Sequence, residues 1–143
     1  MHYDLVIYSA NRSRGGILRK ILELSNIKAL LFNKVIDVKD SVYANEPEIV
    51  ILDISQSLDT EINFLINLVQ NLKKCFVLVL GMSSGINRFY EIDLHNRLFV
   101  LEKFDPDHLV LKIKDLFSSL KTKDTGTSGD MLEADLKKFL KLG

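Results

Sequence analysis

The chain has 143 residues, 47% of them apolar and 27% charged, the composition of one globular domain and not of a disordered or fibrous chain. Lysine plus arginine and aspartate plus glutamate both number 19, so no net field draws the protein to nucleic acid or to an anionic membrane. No apolar stretch approaches a bilayer-spanning length, the start lacks a basic region leading into an apolar run, and the single Cys75 cannot form an internal disulfide; these features point to a cytoplasmic protein.

Apolar bursts alternate with segments of helical period. Tyr3–Ser9 reads as a strand rich in Val, Ile and Tyr; it breaks over Asn11 to Gly16, after which Ile17, Leu18, Ile21, Leu22 and Leu24 recur at helical spacing. Ile27–Phe32 reads as a second strand, and Val35–Asn45 as a helix weakened by its β-branched residues. Ile49–Ile54 is the most apolar run, as befits a central parallel strand covered on both faces, and it carries Asp53 near its end. Leu58–Leu72 forms an amphipathic helix pattern. Cys75–Leu80 reads as the fourth strand, with Cys75 a buried structural thiol, and the loop Gly81–Gly85 closes it. Ile86–Asn96 is expected to be a short helix and Leu98–Leu101 the last strand. Asp105-Pro106 supplies an N-cap and a first-turn proline to a helix with Leu109, Ile113, Leu116, Phe117 and Leu120 on its stripe.

Five strands alternating with five helices predict an α/β fold: a doubly wound, five-stranded parallel sheet of flavodoxin-like order 2-1-3-4-5, flanked by helices. The domain is expected to cover residues 1–121. A Gly/Ser/Thr-rich linker follows over 122–129, and an extra amphipathic C-terminal helix spans 130–143, where Asp130-Met131-Leu132-Glu133 has the form of a capping box.

A carboxylate at the carboxyl end of a buried parallel strand stands where open α/β sheets place their chemistry. The run Pro47-Glu48-Ile49-Val50-Ile51-Leu52-Asp53, together with Phe104-Asp105-Pro106-Asp107-His108-Leu109 at the start of the last helix, resembles the receiver domain of bacterial two-component response regulators over residues 3 to 120. The resemblance implies that Asp53 is the equivalent of the phosphoacceptor. It also implies partners for Asp53 that this chain lacks. The acidic pair that holds magnesium is replaced by Ser9 and Ala10; the hydroxyl ending the fourth strand by Gly81, with Ser83 displaced from it; and the strand-five lysine by Glu102, with Lys103 in the slot of the following proline unless the register slips by one residue, while the aromatic switch position is filled by Phe99, apolar where the family often has Tyr. The reading is therefore a degenerate receiver: no enzyme, no metal, no cofactor, and a fold retained as a protein-interaction module in bacterial signal transduction.

Two other readings stay open: a genuine receiver phosphorylated on Asp53, and a small nucleotide-binding protein using the Gly81–Gly85 loop. That loop lacks the P-loop lysine, and Arg14-Gly15-Gly16 reads as a loop easing into the first helix. An Asp53–Glu102 acid pair has no third group to complete a hydrolytic site, and His2, His95 and His108 share no metal-ligand spacing. Arg12 and Arg14, in the loop after the first strand, are candidate partners of Asp53 in place of a metal; the alternative reading is two solvated loop arginines. By the resemblance, the face of the fourth helix, fifth strand and fifth helix, bearing Arg88, Tyr90, His95, Arg97, Lys103 and Lys112, is a candidate partner or homodimer surface, as is the C-terminal helix.

Overall fold

A computed structural model describes residues 5–44, 46–81, 84–92, 94, 96–101 and 105–125. Strands β1 (Leu5–Ser9), β2 (Leu30–Phe32), β3 (Ile49–Asp53), β4 (Phe76–Leu80) and β5 (Leu98–Leu101) form one parallel sheet in the order β2-β1-β3-β4-β5. Helices α1 (Arg12–Leu24), α2 (Val35–Ala44) and α3 (Asp59–Gln70) connect the first four strands, and α4 (Pro106–Thr125) follows the fifth. This is the doubly wound, flavodoxin-like sheet that the sequence pattern predicts.

The central strands are apolar on both faces because both faces are covered: every residue of β1 and β3 is buried. Alternation splits them. Val6, Tyr8, Val50, Leu52, Val77 and Val79 join one core with Val38 and Val42 of α2 and Ile62, Leu65 and Val69 of α3. Ser9 and Asp53, paired in register at the ends of β1 and β3, point to the other face, toward α1.

Helix α1 begins at Arg12, so Gly15 and Gly16 lie inside it and not in a loop before it. Asn11 is the N-cap, its side-chain oxygen accepting from Arg14 N–H at 3.1 Å. Gly15 permits a close approach: a Cβ there would lie 2.8 Å from Leu31 Cδ1 and 3.2 Å from Ser9 Cβ. The helix ends in a Schellman turn, with Asn26 at φ 64°, Ile27 N–H donating to Leu22 C=O and Asn26 N–H to Glu23 C=O, both at 2.9 Å.

The helix expected over Ile86–Asn96 is reduced to a 3-10 turn at Ser84–Arg88. Gly85, Asn87 and Asn96 are poor helix formers, Asn96 adopts φ 68°, and the segment is held instead by burying Ile86, Phe89 and Leu94 in the α2–α3 core. The start of β4 is fixed by Glu46, whose carboxylate accepts from Lys74 and Cys75 N–H at 2.7 Å. Cys75 is buried, and burial, with the Glu46 carboxylate beside it, pushes its thiol up to about 12.

Two compact units are distinguished, residues 1–110 and 111–143, the second beginning within α4. Asp105 caps α4, accepting from Asp107 N–H at 3.0 Å, and the helix runs to Thr125, past the start of the stretch expected to be a linker. Residues 126–143, including the helix expected from Asp130, lie outside the described residues.

Candidate functional site

The site is built at the carboxyl end of β1 and β3, where register brings Ser9 beside Asp53. Asp53 is 1% exposed. An ionised carboxylate at that depth needs donors for its lone pairs, or burial would force it to take up a proton. It has them on both oxygens. Oδ2 accepts from Ser9 Oγ at 2.8 Å and from Arg14 Nε at 2.9 Å. Oδ1 accepts from Ser55 Oγ at 2.8 Å, Ser55 N–H at 3.3 Å and the second guanidinium nitrogen of Arg14 at 3.4 Å. Burial alone would raise the pKa of Asp53; the hydrogen bonds from Arg14, Ser55 and Ser9, with the charge of Arg14, outweigh it and hold the carboxyl below the ordinary range.

Of the two arginines, Arg14 makes the pair and Arg12 is exposed. The reason is local. Asn11 as N-cap makes Arg14 the third helical residue, and Gly15 lets that turn lie against Ser9 and Leu31. The first turn of α1 contains no acidic residue, so two cations sit where the helix dipole is itself positive. Asp53 supplies the missing negative charge.

Loops around the site are tied to one another. Asn11 Nδ2 donates to Gln56 Oε1 at 2.8 Å, linking the β1–α1 and β3–α3 turns, and Asn33 Nδ2 donates to Ser9 C=O at 3.0 Å from the β2–α2 turn. Ser9 Oγ has one proton and a second acceptor, Asn11 C=O at 2.9 Å; the ionised carboxylate is the stronger of the two.

The residues do not fit a magnesium ion. Position 9 presents a hydroxyl already used on Asp53, and Ala10 turns to the opposite face, where it packs on the α2–α3 core. A guanidinium occupies the carboxylate edge that a divalent cation needs. Among the described residues, no group of three or more His, Cys, Asp or Glu is placed to hold a metal.

Gly81 is bonded from its N–H to Leu101 C=O and has φ +153°, a conformation that side chains rarely adopt. A Cβ there would lie 3.0 Å from Ile54 Cγ1 and 3.3 Å from Ser55 N. The hydroxyl residue that the receiver resemblance expects at this place is thus disfavoured by the backbone as well as absent from the sequence. Gly81→Thr is expected to lower stability by about 2 kcal/mol, read from the urea midpoint.

The remaining predicted residues scatter. Phe99 lies on β5 with its ring 6.2 Å from that of Phe76. Arg97 donates to Cys75 C=O at 2.8 Å and Leu72 C=O at 3.2 Å, so it ties down the α3–β4 turn and is not an open surface residue. Arg88 bonds Asn63 of α3, Tyr90 is exposed, and Lys112 lies in the second unit. His108 is exposed beside Asp105. Ser83, His95, Glu102 and Lys103 lie outside the described residues, as do His2 and most of the Gly81–Gly85 turn's interior. Ser55, Asn11, Gln56 and Asn33 were not anticipated. Ser55 had a signal: a hydroxyl two residues after an aspartate is placed to bond it through both its backbone and its side chain.

No protein-family model matches the sequence, and no curated protein is similar to it. Solved structures are. The receiver domain of Francisella response regulator 1452 superposes with a TM-score of 0.64 at 15% identity, covering 83% of this chain and 99% of that one. The Vibrio cholerae chemotaxis protein CheY4 gives 0.63 at 11%, covering 81% and 99%. The N-terminal domain of an uncharacterized Wolinella succinogenes protein gives 0.68 at 18%, covering 85% and 99%. A de novo designed Rossmann 2x3 protein gives 0.62 at 13%, covering 82% and 91%, so likeness at this level speaks for architecture and not for activity. No described helix is long and apolar enough to cross a membrane. By its sheet order and these superpositions, the chain has the fold of response-regulator receiver domains.

Proposed function

We propose that this protein is a degenerate receiver that works in signal transduction as a protein-interaction module, with no phosphoryl transfer to Asp53. One observation carries the reading: both oxygens of the buried Asp53 carboxylate are held by the protein's own donors, an arginine among them. A carboxylate must offer a free lone pair to attack phosphorus, and phosphoryl transfer needs a cation to neutralise the incoming charge. Arg14 supplies a fixed positive charge but blocks the approach, so the site resembles a finished structural joint more than a reactive one. The receiver fold supports placing that module in signalling, and a cytoplasmic location accords with this role.

The test is titration with magnesium and beryllofluoride, followed by amide shifts of Ser9, Asp53, Ser55 and Gly81. No saturable change is expected at millimolar concentrations. Saturable shifts confined to these residues, or a phosphoryl adduct on Asp53, would reverse the conclusion and make the chain a working receiver.

A further inference from the structure

Helix α2 turns apolar surface outward as well as inward. Val38 and Val42 are buried in the core. Away from them, Ile36 is 47% and Tyr43 50% exposed, one heptad apart and so nearly in line along the helix. Lys39 and Asp40 lie between the two, one to either side of that line, and the four side chains share an arc of about 100°.

The stripe extends onto α3 through Lys39. Its ammonium stands 5.9 Å from the ring centre of Tyr43 and 5.7 Å from that of Phe64, which is half-buried on α3. The lysine is thereby ordered at the surface, so engaging its charge costs less side-chain entropy than engaging a free one. Among the described residues neither Lys39 nor Asp40 has an ion-pair partner.

Charge selects the occupant. Asp37 and Asp40 offset Lys39, so this face has no strong field of one sign to draw a highly acidic or basic protein. It is complementary to itself instead. If two copies of α2 lie antiparallel about a two-fold axis, each flank meets the same flank, Lys39 on Lys39 and Asp40 on Asp40. If they lie parallel, each flank meets the opposite one: Lys39 faces Asp40 of the second copy, twice over, with Ile36 on Ile36 and Tyr43 on Tyr43 along the seam. We infer that α2 is the interface of a parallel two-fold homodimer, its seam formed by Ile36 and Tyr43 and its rims by reciprocal Lys39–Asp40 pairs beside Phe64.

This inference names a partner for the interaction module and rests on that reading, but the two fail separately: beryllofluoride tests Asp53, whereas self-association tests α2. A contact between two short helices is small, so the dimer is expected to be weak, with a dissociation constant roughly between 10 µM and 1 mM. Sedimentation velocity of the full chain across that range should show it, and the amides of Ile36, Lys39, Asp40, Tyr43 and Phe64 should shift with protein concentration. Ile36→Glu should abolish association without unfolding the protein, since the side chain is half in water and an acid in a helix's first turn is favourable. Lys39→Glu and Asp40→Lys should each be monomeric alone and associate when mixed, because only the mixture sets opposite charges across both rims. A merely damaged fold would not be rescued by mixing. A chain that stays monomeric throughout this range, which would leave the face to a different protein, overturns the proposal. So does a dimer that survives Ile36→Glu, or one that either charge reversal leaves intact.

Discussion

Arg14→Met is expected to lower folding stability by about 3 kcal/mol, measured as the shift of the urea midpoint at neutral pH, because it strands a buried charge. Asp53 is 1% exposed, and Arg14 supplies the cation and two of its hydrogen bonds. Methionine keeps the aliphatic stem and removes the charge, so the loss is electrostatic and not a packing defect. The arginine side chain is 34% exposed, which places the effect at the lower end for a buried pair. Arg14→Lys should recover only part, since an ammonium cannot bond both carboxylate oxygens in the fork that the guanidinium makes. Combining Arg14→Met with Asp53→Leu should cost far less than the sum of the single changes, the double-mutant signature of a joint whose members matter to each other. Additive losses would show that the pair is incidental to the fold.

The pH dependence follows from the same bonds. Asp53 has a lowered pKa in the folded state, so its contribution is present above the carboxyl's unfolded value and fades as pH falls through the folded one. In Arg14→Met the largest favourable influence is gone while the burial remains. Its stability should therefore improve on mild acidification, where wild type is unchanged or begins to lose stability.

How far the sequence could have led to this point differs between the frame and the site. The sheet was legible because each central strand is buried on both faces and so reads as an unbroken apolar run: β3 ends on Asp53, and β5 has the bounds its apolar run suggests. In sequence, Gly15-Gly16 looks like a breaker and suggests a late start for α1; only the nearness of Leu31 and Ser9 explains why Gly15 belongs inside the helix. The helix after β4 was overestimated, since apolar residues at Ile86, Phe89 and Leu94 satisfy helical spacing but bury themselves from a 3-10 turn and the irregular chain after it. At the site, the loss of acids at positions 9 and 10 was visible letter by letter. Which arginine would reach Asp53 was not, because it depends on where the N-cap falls; nor was the role of Arg97, whose two carbonyl partners are distant in sequence.

Ser9→Asp tests the site from the other side, by restoring an acid where the receiver resemblance expects one. Ser9 is fully buried, is the register neighbour of Asp53, and donates to it at 2.8 Å. The substitution exchanges that donor for an acceptor and sets a second carboxylate against the first, with one guanidinium to serve both. Two carboxylates so placed cannot both ionise cheaply, and one of the pair titrates at a raised pKa. The cost at neutral pH should be about 3 kcal/mol or more, and the dependence on pH should invert. Wild-type Asp53 contributes stability that is lost as pH falls. The variant's raised carboxyl contributes stability that is fully present below its unfolded pKa and is lost as pH rises through the folded value. Ser9→Asn, close in shape but neutral and still able to donate to Asp53, is the control: it should keep the wild-type sign and lose less. Urea midpoints between pH 4 and pH 8 separate the cases by the sign of the slope alone. If Ser9→Asp retained the wild-type slope, the carboxylate at position 53 would not be the enclosed, internally neutralised group on which the proposed function depends.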